Sequence, residues 1–379
     1  MPSRPHHVLL VPGFFGFANL GDFAYFAHVR DYLAEIGPRA GLTGELRVVR
    51  TVPTASLRKR AALVAETIDE VLDLADGDVT LVGHSSGGLD ARLVVTPQVS
   101  LPTPADVERC ARAVRAVVTV STPHYGTPLA HLFNSLLGQQ LLHLLSLSTI
   151  YSLRAGRLPL RVALKFAALL RGRGARPSGV IDQLVMQLLA DFSLDRREAI
   201  EEFFRNVGQD QDLVAQITPA GMDLFNASTE DRPGVAYGCV VTRGRKPGLR
   251  SAMKAGLDGY AQATHALYVA LYRLASRGAP GRGPRLDRAH AAMLRQAFGR
   301  IPDSRANDGI VPTLSQVWGE MVGAVWADHH DVIGHFHRPT HVPPHFDWVA
   351  SGTGFDRPQF EAIWREVARF AARAARAPR

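Results

Sequence analysis

The segment VTLVGHSSGGLDARLV, residues 79–94, sets Ser85 between Gly83 and Gly87 in a GxSxG pattern. A serine hydroxyl is a poor nucleophile at neutral pH. To attack a carbonyl it needs a histidine base, an acid that orients the base, and N–H donors for the oxyanion that forms. The local sequence suits such a role. Val79 to Val82 read as a short buried strand, and Leu89, Leu93 and Val94 fall at helical spacing, so Ser85 lies in a strand-to-helix turn. Gly83 and Gly87 keep side chains out of a bend where backbone segments pack closely, which turns the serine oxygen outward at the end of the strand. A glycine-rich turn with no chemistry would look the same, so the decision rests on the partners.

Two later segments offer those partners. SRANDGIVPTLSQ, residues 304–316, contains Asp308, and ADHHDVIGHF, residues 327–336, contains His329 and its neighbour His330. Asp308 in NDG also suits ordinary turn chemistry. His124 in STPHYG reads as a residue that orders the loop after its strand, since one general base suffices. The histidines at 329, 330, 335, 337, 341 and 345 raise the alternative of a metal site, with His341 and His345 one helical turn apart. Pro339, Pro343 and Pro344 forbid a helix there, and no cysteine or clustered carboxylate accompanies them, so no metal is assigned.

The elements that must hold these residues alternate. Valine-rich apolar runs recur at His7–Val11, Leu46–Val52, Val79–Val82, Ala116–Val120, Val235–Val241 and Val322–Trp326. Between several of them lie helical patterns, the clearest through Leu57, Ala61, Val64, Ile68, Val71 and Leu72. Strands alternating with helices imply a mostly parallel sheet covered on both faces. From Gly126 to Ala215 the chain turns almost wholly helical, which reads as an insertion capping a site. A second segment runs from Lys246 to Ile301, holding a helical pattern through Leu257, Tyr260, Leu267, Tyr268 and Leu271 and then the flexible stretch RGAPGRGPR. The expected organisation is a first core part at 1–125, a helical cap at 126–215, and a second core part at 216–379.

Composition narrows the class. A chain of 379 residues, 46% hydrophobic, can bury a substantial core. The net charge of +8 is spread among acidic residues without a nucleic-acid motif, so no nucleic-acid partner is expected. The helix LRVALKFAALL is expected to show Arg157, Arg161 and Lys165 on a face opposite its leucines. That face is either a basic stripe in water or a contact with a lipid surface. Cys110 and Cys239 are far apart and read as buried thiols. The apolar run near the start is broken by Pro12 and Gly13, and Leu136–Leu153 is interrupted by polar residues. A cytoplasmic protein without a leader or spanning helix is therefore expected.

VPGFFG near the start, GHSSGG, STPHYGTP, NDGIVP and ADHHDVIGHF occur in that order over most of the chain, and together they resemble the bacterial triacylglycerol lipases and esterases of the α/β-hydrolase fold. The resemblance implies that fold and a triad of Ser85, Asp308 and His329, the last being the histidine directly after Asp328. It also implies oxyanion N–H groups from Phe14 and Ser86. Two departures leave this intact. Pro12 and Gly13 stand where many such lipases read HG, but the oxyanion donor lies later. Ser86 replaces a glutamine but keeps its backbone donor. Many relatives also carry a structural calcium with a ligand two positions after the histidine. Asp331 holds that position, but the sequence shows no partners for it, so it is assigned no metal role.

The expected function is thus hydrolysis of carboxylic esters, with lipid-like acyl esters as substrates, through an acyl-enzyme and without a cofactor. A lipid acyltransferase or thioesterase would use the same triad. A non-catalytic scaffold could use the same fold.

Overall fold

The structure is a computed structural model. It describes residues 4–14, 25–52, 54–133, 158–170, 177–194, 212–277, 283–336 and 349–377, with isolated positions between these segments. Six parallel strands form one sheet in the order β2-β1-β3-β4-β5-β6. They are β1 (His6–Val11), β2 (Leu46–Val48), β3 (Asp78–His84), β4 (Val114–Val120), β5 (Ala236–Thr242) and β6 (Glu320–Val325). Consecutive residues of β1 and β4 are buried regardless of which face they point to, which requires cover on both sides. Helices α1 (Ala27–Ala40) and Arg357–Arg376 pack together, and α2 (Leu57–Leu74) packs on α3 (Gly87–Val95) and α4 (Val107–Ala113). This is the α/β architecture expected from the alternating pattern.

The second strand is shorter than its valine-rich run. Val49 still donates to Leu10, but the Val52 carbonyl is claimed by Arg60, so the chain leaves the sheet edge. Arg60 is fully buried and pairs with Asp90 of α3, with Nη2 2.6 Å from Oδ2. It also donates to the Pro12 carbonyl at 2.8 Å. One guanidinium therefore ties α2 to α3 and to the loop after β1. Removing it would leave Asp90 buried and unpaired, at a cost of about 3–5 kcal/mol.

Between β4 and β5 the described residues of 126–215 form helices and no strand: Leu129–Phe133, Leu160–Leu170, Pro177–Ala190 and Asp212–Gln216. Pro219–Ser228, capped by the Thr218 side chain, adds a helix before β5 that the sequence pattern did not separate. Leu160–Leu170 buries Val162, Ala163, Phe166 and Ala167 and packs on the helix Gly259–Ala275. Its exposed face differs from the expectation. Leu160 and Leu164 stand exposed beside Arg161 and Lys165 instead of opposite them, because Val162, Ala163, Phe166 and Ala167 fill the inward face. Arg157 lies outside the described residues, as do part of RGAPGRGPR, His337, His341 and His345. Cys110 and Cys239 are buried free thiols. No helix among the described residues is long and apolar enough to cross a membrane.

Candidate active site

The chain runs from β1 to β2 on one side and then to β3 on the other, so the strand order reverses between β1 and β3. In open parallel sheets such a reversal leaves a crevice beyond the carboxyl ends of the strands. Residues from four strand ends meet at that edge of the sheet. Ser85 follows β3 directly and has φ of 55°, the left-handed region that a non-glycine residue adopts only when its surroundings impose it. Its N–H donates to the Val120 carbonyl at 2.9 Å. The bend needs its glycines: a Cβ on Gly83 would stand 2.4 Å from the Gly87 carbonyl oxygen, and one on Gly87 would stand 2.2 Å from that of Val11. The strand-to-helix turn around Ser85 is therefore a sharp elbow, with α3 starting at Gly87.

His329 lies in the loop after β6 and its Nδ1 is 2.9 Å from Asp308 Oδ2. The carboxylate is held on both oxygens. Oδ1 accepts from the N–H groups of Ile310 and Val311, and Oδ2 also accepts from Thr242 Oγ1 at 2.9 Å and Gln316 Nε2 at 3.2 Å. An ionised carboxylate accepts only, so Nδ1 carries the proton and Nε2 presents its lone pair. That Nε2 is buried and has no hydrogen-bond partner among the described residues. His330 points elsewhere: its ring stands at 89° to that of His329, and burial beside His329 and His335 drives its pKa far below the ordinary histidine value.

On the other side of Ser85, a Cβ on Gly13 would lie 2.5 Å from Ser85 Cβ and 3.1 Å from Ser85 Oγ, so the loop after β1 passes directly over the serine. Phe14 follows and is buried. With Ser85, Pro123, Ile310 and Val311 it lines an apolar pocket, completed by Leu129 and Val214 from the helical insertion. Ser86 is fully buried at the start of α3, and its hydroxyl has no hydrogen-bond partner among the described residues, which leaves its backbone as the polar group of interest here. His124 is buried between Arg92 and Thr119, and burial and Arg92 hold it neutral, as expected of a loop-ordering residue.

The sequence reading missed Thr242 and Gln316, which carry no motif of their own. It also missed a carboxylate cluster. Asp331 does have partners: ligand oxygens of Asp328, Asp331 and Asp347 lie within 4.8 Å of one another. Asp347 is brought in by folding from sixteen positions away in sequence, which is why no spacing revealed it. Asp328 Oδ1 caps the N–H groups of His330 and Asp331, while its Oδ2 is buried without a hydrogen-bond partner among the described residues. Burial and the Asp328 charge push the Asp331 carboxyl well above the usual carboxylate range. A set of three carboxylates with an unused oxygen fits a hard cation such as Ca²⁺. A cation there would neutralise crowded charge and fix the loop that carries His329.

Comparison with known proteins follows this geometry. The model of the PGAP1-like alpha/beta domain family matches residues 49–141, the stretch from α2 through the elbow and β4. No curated protein matches in sequence. Among solved structures, lipase 1 from Pelosinus fermentans is similar with a TM-score of 0.54 and 15% identity, over 96% of this chain and 99% of that one. Staphylococcus hyicus lipase gives 0.52 and 15%, over 98% of this chain and 97% of its own. The metagenomic carboxyl esterase MGS0156 gives 0.52 and 16%, over 97% and 76%. The parallel sheet, the elbow and these neighbours together identify the chain as having the α/β-hydrolase fold of the bacterial lipases and esterases.

Proposed function

We propose that the protein is a serine hydrolase that cleaves carboxylic esters, with lipid-like acyl esters as its substrates. The observation that carries this reading is the 2.9 Å pair of His329 Nδ1 and Asp308 Oδ2 at the sheet edge that presents Ser85 in a left-handed elbow. Ser85 Oγ attacks the ester carbonyl carbon and its proton passes to His329 Nε2. Asp308 fixes the imidazole tautomer and stabilises the imidazolium. Collapse of the tetrahedral intermediate releases the alkoxide, which takes the proton from His329. Water, deprotonated by the same nitrogen, then hydrolyses the acyl-enzyme. The N–H groups of Phe14 and Ser86 serve the oxyanion. No cofactor enters these steps.

Two features support an acyl-chain substrate. The pocket beside Ser85 is walled by Phe14, Leu129, Phe133, Val214 and Ile217, so we assign residues 126–215 the role of a cap over the acyl chain. On the outside, Leu160, Leu164, Leu249, Met253 and Leu257 are exposed beside Arg161, Lys165, Arg250 and Lys254, a mixture suited to peripheral contact with a lipid surface. The names of the structural neighbours, lipases and a carboxyl esterase, agree with the same chemistry.

The test is a fluorophosphonate probe followed by a panel of acyl esters from short to long chains. Labelling that maps to Ser85 and disappears in Ser85→Ala is expected, with turnover of long-chain esters. Folded protein that takes no label would instead be a non-catalytic scaffold. Label at Ser85 with product formed only when an acyl acceptor other than water is supplied would make it an acyltransferase.

A further inference from the structure

His84, the residue before Ser85, is fully buried and has a hydrogen-bond partner on each ring nitrogen. Its Nε2 lies 2.8 Å from the backbone carbonyl oxygen of His329, and its Nδ1 lies 2.6 Å from the Tyr25 hydroxyl. A carbonyl only accepts, so Nε2 carries the hydrogen. Burial holds the ring neutral, so Nδ1 is bare and accepts the Tyr25 proton. Both hydrogen bonds therefore have an assigned direction, from Tyr25 to His84 and from His84 to the His329 carbonyl.

The two ends of this series matter. Tyr25 stands two residues before α1, and His329 is the base. The His84 and His329 rings are also in tilted contact, with centroids 4.7 Å apart. The His329 imidazole is thus held from its edge by Asp308 and supported on its face by His84. A second anchor joins the same parts, since His335 Nε2 lies 3.0 Å from the Tyr25 carbonyl.

We infer that Tyr25 and His84 are positioning residues that lock the segment entering α1, the nucleophile elbow and the His329 loop into one register by the hydrogen-bonded series from Tyr25 to His329. The inference rests on the proposed roles of Ser85 and His329. It gives the histidine of GHSSGG a task separate from proton transfer, because both of its nitrogens are committed. Its neutrality also has a consequence. A second imidazolium in contact with His329 would oppose the charge that His329 gains in the transition state. Misplacing a base by about 1 Å can cost on the order of a hundredfold in rate, so a strut far from the substrate can matter.

The test uses the full chain with Tyr25→Phe, His84→Leu, His84→Gln, the double variant Tyr25→Phe/His84→Leu, and Ser85→Ala as control. Tyr25→Phe removes one oxygen and should lower kcat about tenfold with KM within about twofold. His84→Leu should lower kcat about a hundredfold. His84→Gln restores an N–H donor toward the His329 carbonyl and should recover at least about tenfold of that loss, which packing alone would not do. The Tyr25→Phe effect should vanish in the His84→Leu background, because the series is already broken. Wild-type kcat in folded Tyr25→Phe, or fully additive losses, would overturn the inference. Should His84→Leu fail to fold, the additivity of Tyr25→Phe with His84→Gln decides: retained Tyr25 dependence is expected and independence overturns it. Activity surviving in Ser85→Ala would instead overturn the triad reading itself, so the two failures are distinguishable.

Discussion

Thr242 donates its hydroxyl to Asp308 Oδ2, the same oxygen that His329 Nδ1 meets, at 2.9 Å in both cases. The last residue of β5 thereby fixes the acid from below, and the sheet itself becomes part of the support for the base. Thr242→Val keeps the shape and deletes the donor, while Gln316 and the N–H groups of Ile310 and Val311 still hold the carboxylate. A hydrogen bond to a charged group contributes about 1.5–3 kcal/mol, of which the remaining donors recover part. The expected result is a fall in kcat of about tenfold with KM unchanged, read from steady-state ester hydrolysis. Unchanged kcat would mean that Gln316 and the Ile310 and Val311 N–H groups orient the acid without Thr242.

The neighbouring histidines should behave oppositely. His329 pairs with Asp308, and His330 stands at right angles to it in a buried setting where burial keeps it neutral. His329→Ala should lower kcat by about a thousandfold or more, since members of a triad act as a unit. His330→Leu keeps an apolar body in place and should cost under about tenfold. Circular dichroism and thermal melting establish first that both variants are folded. A dead His330 variant beside an active His329 variant would move the base to the other residue.

How far the sequence reveals this arrangement depends on the range of each interaction. The elbow is local: a valine strand, paired glycines and a helical pattern within sixteen residues make the turn at Ser85 readable. Asp308 and His329 were identifiable because each sits in a short loop with its own composition. Thr242 and Gln316 were not, because a threonine ending a strand and a glutamine in a short 3-10 turn look the same whether or not a carboxylate lies beside them. Tyr25, His84 and Asp347 were hidden for the same reason. Their meaning arises only from contacts across 59, 245 and 16 or more positions of chain, which pattern and periodicity do not encode. The exposed leucines of Leu160–Leu170 show a further limit, since two faces of a helix rich in both small and large apolar residues can each satisfy the same spacing.

Buried neutral histidines make the fold sensitive to acid. Burial lowers His6 and His335 from the ordinary 6.5 to about 4, and His84 and His124 fall well below 6.5. Unfolding exposes these rings, so below about pH 6.5 the unfolded chain binds more protons than the folded one. The stability they contribute is complete above pH 6.5 and is lost as pH falls through about 4. Each group adds up to about 1.4 kcal/mol per pH unit within that window. Urea midpoints at pH 7, 6 and 5 should therefore drop progressively, and His6→Gln, which can keep a hydrogen bond to Thr80, should flatten the slope. Buried Asp90, Asp328 and Asp331, whose carboxyls are raised, contribute the opposite slope, so the comparison between variants decides: a slope unchanged in His6→Gln would contradict the assignment of His6 as neutral.

The carboxylate cluster behind the His329 loop predicts a response to calcium. Asp328, Asp331 and Asp347 bring like charges together, and Asp328 Oδ2 is buried without a partner among the described residues, so a bound divalent cation should stabilise the folded chain. Ligand present at a hundredfold over its Kd contributes about 2.7 kcal/mol. For a chain of this length that corresponds to a rise in Tm of about 3 °C. Protein stripped with EDTA and melted with and without calcium should show this rise. Asp331→Asn should lose it, and its calcium-free Tm should be no lower than that of the parent, because one of the crowded charges has gone. Magnesium, which demands a tighter octahedral shell and gives up its water reluctantly, should produce a smaller shift at equal concentration. An equal calcium shift in Asp331→Asn and parent would place the ion elsewhere, and no shift at all would leave the three carboxylates to share protons instead of a metal.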